Sequence, residues 1–148
     1  MATHLAKLTA DMKAAMKAGD KPRLEVIRML IAELKRRAID AQVDDLPDDE
    51  ELSVLQKAVK TRADTVVQAR AAGREEIAKK EESEIAIIEG YLPKQMTAEE
   101  VDAKVKELAA EIAFQGGKDT GRFMKEWMAR YKGVADGKLV QQALKGLG

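Results

Sequence analysis

The sequence predicts an all-α protein of two domains: an N-terminal four-helix bundle-like domain over 1–93 and a C-terminal three-helix domain over 94–148. Apolar residues recur at intervals of three and four along nearly the whole chain, and no segment shows the period of two that a half-buried strand requires. All three prolines, Pro22, Pro47 and Pro93, lie in the first 93 residues, whereas seven of the ten glycines lie beyond them. The only aromatic residues, Tyr91, Phe114, Phe123, Trp127 and Tyr131, fall past residue 90, so the first domain must fill its core with aliphatic side chains. The boundary falls near Leu92 to Thr97.

In the first domain, Leu5, Leu8, Met12, Ala15 and Met16 line one face of a helix that stops at Gly19. Asp20 caps the next helix, with Pro22 in its first turn, where a missing amide hydrogen costs nothing. That helix runs to about Ala41. It carries Leu24, Ile27, Leu30, Ile31, Leu34 and Ala38 on one stripe, and Val26, Met29 and Ile39 widen it, which marks the centre of the bundle. Asp48 with Glu51 predicts a capping box opening a third helix to about Ala72, with Leu52, Leu55, Val59, Ala63 and Val66 buried. Ala72, Gly73 and Arg74 form a hairpin turn into a fourth helix bearing Ile77, Ile85, Ile88 and Leu92, which Gly90 to Pro93 ends.

In the second domain, Thr97 and Glu100 form another capping box. Val101, Val105, Leu108 and Ile112 then define a helix that halts at Gly116 and Gly117. Asp119 or Thr120 caps the next, which sets Phe123, Met124, Trp127, Met128 and Tyr131 on one face and Arg122, Lys125, Glu126, Arg130 and Lys132 on the other. After a turn bracketed by Gly133 and Gly137, Asp136 caps a last helix with Leu139, Val140, Ala143 and Leu144.

Composition limits the chemistry. With 45% apolar and 35% charged residues in 148, the chain is neither disordered nor membrane-embedded. The lack of cysteine removes disulfide, thiol-nucleophile and thiolate-metal chemistry, and His4, the single histidine, cannot build a multi-histidine centre. Neither metal nor cofactor is expected. The start of the chain lacks the apolar core of a secretory signal, and Arg28 and Glu33 cut the longest apolar stretches short of a membrane span. These absences predict a cytoplasmic protein without a membrane partner.

Lys and Arg number 26, matching 26 Asp and Glu, but the balance is uneven. From Lys118 onward seven basic residues face three acidic ones. In the stretch KDTGRFMKEWMARYKGVADGK, Gly121 stands at a helix start with Arg122 and Lys125 nearby, offering amide hydrogens, a helix dipole and cations to a phosphate oxygen. Lys132, Gly133, Gly137 and Lys138 form a second such corner. Phe123 and Trp127, at helical spacing, read as core rather than as a base-stacking platform.

Two charges fall on apolar stripes, Arg62 on the third helix and Glu81 on the fourth. They are expected to form a structural ion pair across the hairpin, because a lone buried charge costs several kcal/mol. The acidic run Asp44, Asp45 and Asp48 to Glu51 lacks the alternating ligands and central glycine of a calcium loop and reads as a solvated helix start. No catalytic constellation and no phosphate-cradling glycine-lysine motif is present.

The segments LEVIRMLIAELK at 24–35, DEELSVLQKAVKTRAD at 49–64, AGRE at 72–75, YLPKQ at 91–95 and KGVADGK at 132–138 together resemble the GatB/YqeY family, in order and over nearly the whole chain. The resemblance implies four helices followed by three and a likeness to the tail of the GatB subunit of the glutamine-dependent tRNA amidotransferase, a carbon-nitrogen ligase. That tail holds tRNA away from the catalytic centre. Gly121, Arg122 and Lys125 match the family's glycine-lysine helix start, with Arg122 in place of a usual lysine. Lys132, Gly133, Ala135, Asp136 and Gly137 match its second turn. The implied function is a non-catalytic tRNA-binding accessory module. The alternative is a scaffold that docks an aminoacyl-tRNA synthetase or an amidotransferase. The larger enzyme's active site has no counterpart here.

Overall fold

The computed structural model describes residues 2–147, and among these there are seven α-helices, one 3-10 turn and no strand. The chain forms two compact units, Met1–Leu92 and Pro93–Gly148.

The first unit holds α1 (Thr3–Ala18), α2 (Lys21–Asp40), α3 (Asp48–Ala71) and α4 (Glu75–Glu89). Gly19 ends α1 at φ +68, a conformation that glycine adopts without strain, and the Asp20 carboxylate accepts from the Arg23 amide to begin α2. α1 with α2 and α3 with α4 form antiparallel hairpins. Both α2 and α3 touch the other three helices, and α2 carries the broad apolar stripe at the centre. Leu8, Ile27, Leu30, Leu34, Leu55 and Ile88 are buried together in an aliphatic core. Full burial of each such side chain contributes about 1.5–3 kcal/mol. Val66, Ala69 and Ala78 make a separate small cluster between α3 and α4.

Two local expectations in α3 fail. Its buried stripe passes through Ala58, Arg62, Val66 and Ala69, whereas Ala63 is exposed and Val59 half-buried. Both tracks fit a 3.6-residue period, and packing between α2 and α4 selects the one that includes an arginine. The Asp48–Glu51 capping box does not form either, because Pro47 precedes α3 and Glu51 serves another helix. The Glu51 side chain, 1% exposed, accepts from the backbone amides of His4 (3.2 Å) and Leu5 (2.9 Å) and contacts the His4 ring at 3.1 Å. A carboxylate from α3 thus caps α1 across the bundle, where the dipole favours negative charge.

The second unit holds α5 (Ala98–Glu111), a 3-10 turn (Gly117–Asp119), α6 (Thr120–Tyr131) and α7 (Gly137–Leu147). Thr97 and Glu100 make the full capping box of α5. The helix stops well before the predicted Gly116, because Ala113 takes a left-handed φ of +54. That reversal brings Phe114 edge-on to Phe123, with ring centroids 5.8 Å apart. Phe123 continues to Trp127 and Trp127 to Tyr131, at 6.1 and 4.6 Å, along the inner side of α6.

Candidate nucleic-acid interface

The first corner is the start of α6. Asp119 does not cap that helix. Its carboxylate turns back to accept from the Gln115 amide at 2.8 Å and lies 3.4 Å from Arg122 Nη2. The Gln115 hydrogen bond, ahead of the Arg122 charge, holds the Asp119 carboxyl below its usual range. No side chain caps α6, although the Thr120 amide is already donated to the Gly117 carbonyl of the preceding 3-10 turn. Gly121 is exposed there, and a Cβ built on it would meet nothing within 4 Å. Lys125 follows one turn later on the same face, exposed and without an ion pair among the described residues. On the opposite side Phe123 (0% exposed) and Trp127 (2%) are core, so neither can stack a base. Arg130 is spent on Glu111 through a two-point contact of 2.7 and 3.0 Å.

The second corner follows α6 directly. Gly133 turns the chain at φ +75, and two peptide oxygens are tied down at once: Gln95 Nε2 donates to the Gly133 carbonyl at 2.6 Å and the Met96 amide to that of Val134 at 2.7 Å. Gln95 and Met96 are therefore stitched to the 133–134 turn, nearly 40 residues away in sequence. Asp136 accepts from the Lys138 amide at 3.0 Å and opens α7. Lys132, Gly137 and Lys138 are exposed, and Gly137, like Gly121, has open space where a Cβ would sit.

The two corners do not converge on one pocket. Arg122 and Lys132 are separated by almost the whole of α6, about 15 Å along a helix axis at 1.5 Å per residue. Gly121, Arg122 and Lys125 lie at one end of α6 and Lys132, Gly133, Gly137 and Lys138 follow its other end, so α6 holds the two groups apart.

The pair expected between Arg62 and Glu81 is not the one formed. Arg62 is buried, but the carboxylate it pairs with is Glu84, with Nε 3.9 Å from Oε2. The two glutamates are three residues apart, and the register of the α3–α4 hairpin decides which meets α3. Arg70 fixes that register by gripping both Glu75 (3.1 Å) and Glu82 (2.6 Å). One cluster escaped the sequence reading: His4, Asp48 and Glu51 hold their donor atoms within 4.8 Å of one another, close enough for one ion. The Glu51 oxygens there are already engaged by the α1 amides, which accounts for the cluster as a helix clamp.

A family model described as Yqey-like protein matches residues 5–147. Among curated proteins, the chain is 36% identical over 110 residues to the "Altered inheritance of mitochondria protein 41, mitochondrial" of Lachancea thermotolerans, covering 73% of this chain and 59% of that protein. The protein of the same name from Pyrenophora tritici-repentis is 32% identical over 134 residues, covering 88% and 72%. That of Kluyveromyces lactis is 33% identical over 110 residues, covering 73% and 60%. The chain thus spans about three-fifths of the length of two of these relatives. Their names overturn the expectation of a cytoplasmic protein. A missing apolar run argues only against a secretory signal, whereas mitochondrial leaders are amphipathic and arginine-rich and need no such run. No helix among the described residues is long and apolar enough to cross a membrane.

Proposed function

The chain belongs to the YqeY-like family, and on that premise we propose that its C-terminal unit binds RNA phosphates without chemistry of its own, tRNA being the ligand that the resemblance suggests. The observation that carries this reading is a pair of glycines. Gly121 and Gly137 stand at the starts of α6 and α7, neither has a positive φ, and neither faces an atom that a side chain would strike. Turn geometry and packing therefore explain neither one. A glycine at a helix start suits the close approach of a phosphate to the backbone, most directly at α6, since at α7 the Asp136 carboxylate already takes the Lys138 amide. Arg122, Lys125, Lys132 and Lys138 supply exposed charge around the two starts.

Neutralising about four phosphates gives a slope of log K against log salt of roughly −3 to −4, with little dependence on base sequence. Fluorescence anisotropy with total tRNA checks this. Replacing the four cations by alanine together is expected to flatten the slope and weaken binding more than about tenfold. Absence of binding at low salt, or binding indifferent to the four replacements, would sink the reading. Recovery of a defined protein in a nuclease-insensitive pull-down would instead favour docking to a synthetase or amidotransferase.

A further inference from the structure

The N-terminal unit contains a cavity of about 530 Å³ between α2 and α3, independent of the C-terminal corners. Arg62, 9% exposed, is the most buried of its cations. Its guanidinium has five N–H donors, of which only two find an acceptor. Nη1 donates to the Ala58 carbonyl of its own helix at 2.9 Å, Nη2 to the soft sulfur of Met29 at 3.0 Å, and the buried Nε makes no hydrogen bond. Its nearest carboxylate, Glu84, stands 3.9 Å away on α4, and burial, followed by the charge of Glu81, pushes that carboxyl up. With Nε turned to a carboxylate 3.9 Å away and one hydrogen used on each Nη, Arg62 keeps Nη hydrogens for a further oxyanion.

The cavity has the remaining parts of such a site. Arg36 and Lys57 sit on its exposed rim with no ion pair among the described residues, and the Ser53 and Thr61 hydroxyls add neutral donors. Arg37 is not available, because it faces Glu50 at 3.6 Å. Glu33, Asp40 and Glu50 also line the cavity and repel any anion beside them, so a ligand must be compact enough to stay against Arg62, Arg36 and Lys57. We propose that the α2–α3 cavity binds a terminal phosphate group, with Arg62 beneath it and Arg36 and Lys57 closing on it from the rim. Such a group has two sources, a free phosphate ester or the 5′ end of an RNA.

The full chain is titrated with inorganic pyrophosphate at constant ionic strength and followed by nitrogen-15 NMR. The Arg62 Nε–H signal and the amides of 33–62 move, and the rim variant Arg36→Ala with Lys57→Ala, which leaves the core intact, binds about tenfold or more weakly. A still Arg62 signal, the same shifts with chloride in place of pyrophosphate, or unchanged affinity in the rim variant would each overturn the site. Competition then separates the sources. tRNA that displaces pyrophosphate only while it carries its 5′ phosphate identifies an RNA end; tRNA that displaces none in either form identifies a free ester. Loss of RNA binding at the C-terminal corners changes none of these readings, so the two proposals fail separately.

Discussion

The two units solve the placement of charge in opposite ways. The N-terminal unit turns two of its charges inward, Glu51 capping α1 from α3 and Arg62 lying buried beside Glu84, while Arg70 bridges two glutamates of α4 at the surface. Its core is aliphatic and its helices are long. The C-terminal unit is shorter and packs around a chain of four rings, Phe114 to Tyr131. It ties Arg122 and Arg130 to neighbours but leaves Lys125 and Lys138 at the surface with no ion pair among the described residues. Charge used within a fold fixes register, and charge left at helix starts is available to a ligand. The difference separates a buried, enclosed use of charge from an open one more clearly than the net charge of zero does.

The largest break in this comparison comes from the ring chain. Trp127→Ala empties the middle of the C-terminal core and is expected to cost about 3–5 kcal/mol, close to the whole stability of so small a unit. Peptide-resolved hydrogen exchange should show 98–147 losing protection while 3–89 keep theirs. Simultaneous loss in both would mean that the units do not hold their folds separately. A smaller effect tests the inward use of charge. Glu51→Gln keeps the size of the side chain but turns an amide donor toward the α1 amides, leaving buried donors unmet at roughly 1–3 kcal/mol. The expected result is a lower midpoint for the N-terminal unit with fraying confined to α1. An unchanged midpoint would refute the clamp.

These contrasts were unequally legible in the sequence. Gly19, Asp20 and the Thr97–Glu100 box are local signals, each read within four residues, and the structure forms all three. The seven helices follow from periodicity for the same reason. Glu51 was misread because its partners, His4 and Leu5, lie more than 45 residues away, and an N-terminal box is the local use of the same side chain. Arg62 was legible as a charge on a buried stripe, but the choice of Glu84 over Glu81 depends on one turn of hairpin register that no local pattern encodes. At the candidate interface the residue types were legible. The stitching of Gln95 and Met96 to the 133–134 turn, and the separation of the two corners by α6, belong to tertiary structure.

The smallest expected effect discriminates most finely, because stability and binding should move in opposite directions. If the fold needed Gly121, alanine there would destabilise it. The structure gives no such need: the site is exposed, its φ is not positive, and a Cβ meets open space. Gly121→Ala should therefore raise the stability of the C-terminal unit by about 0.4–1 kcal/mol, chiefly by reducing the freedom of the unfolded chain. The same methyl group would stand between a phosphate and the first amides of α6, so affinity for tRNA should fall while the salt slope, set by the unchanged cations, stays put. Thermal melting and anisotropy on one preparation measure both. Stability up with affinity unchanged would leave the cations as the whole interface, and stability down would return Gly121 to the fold.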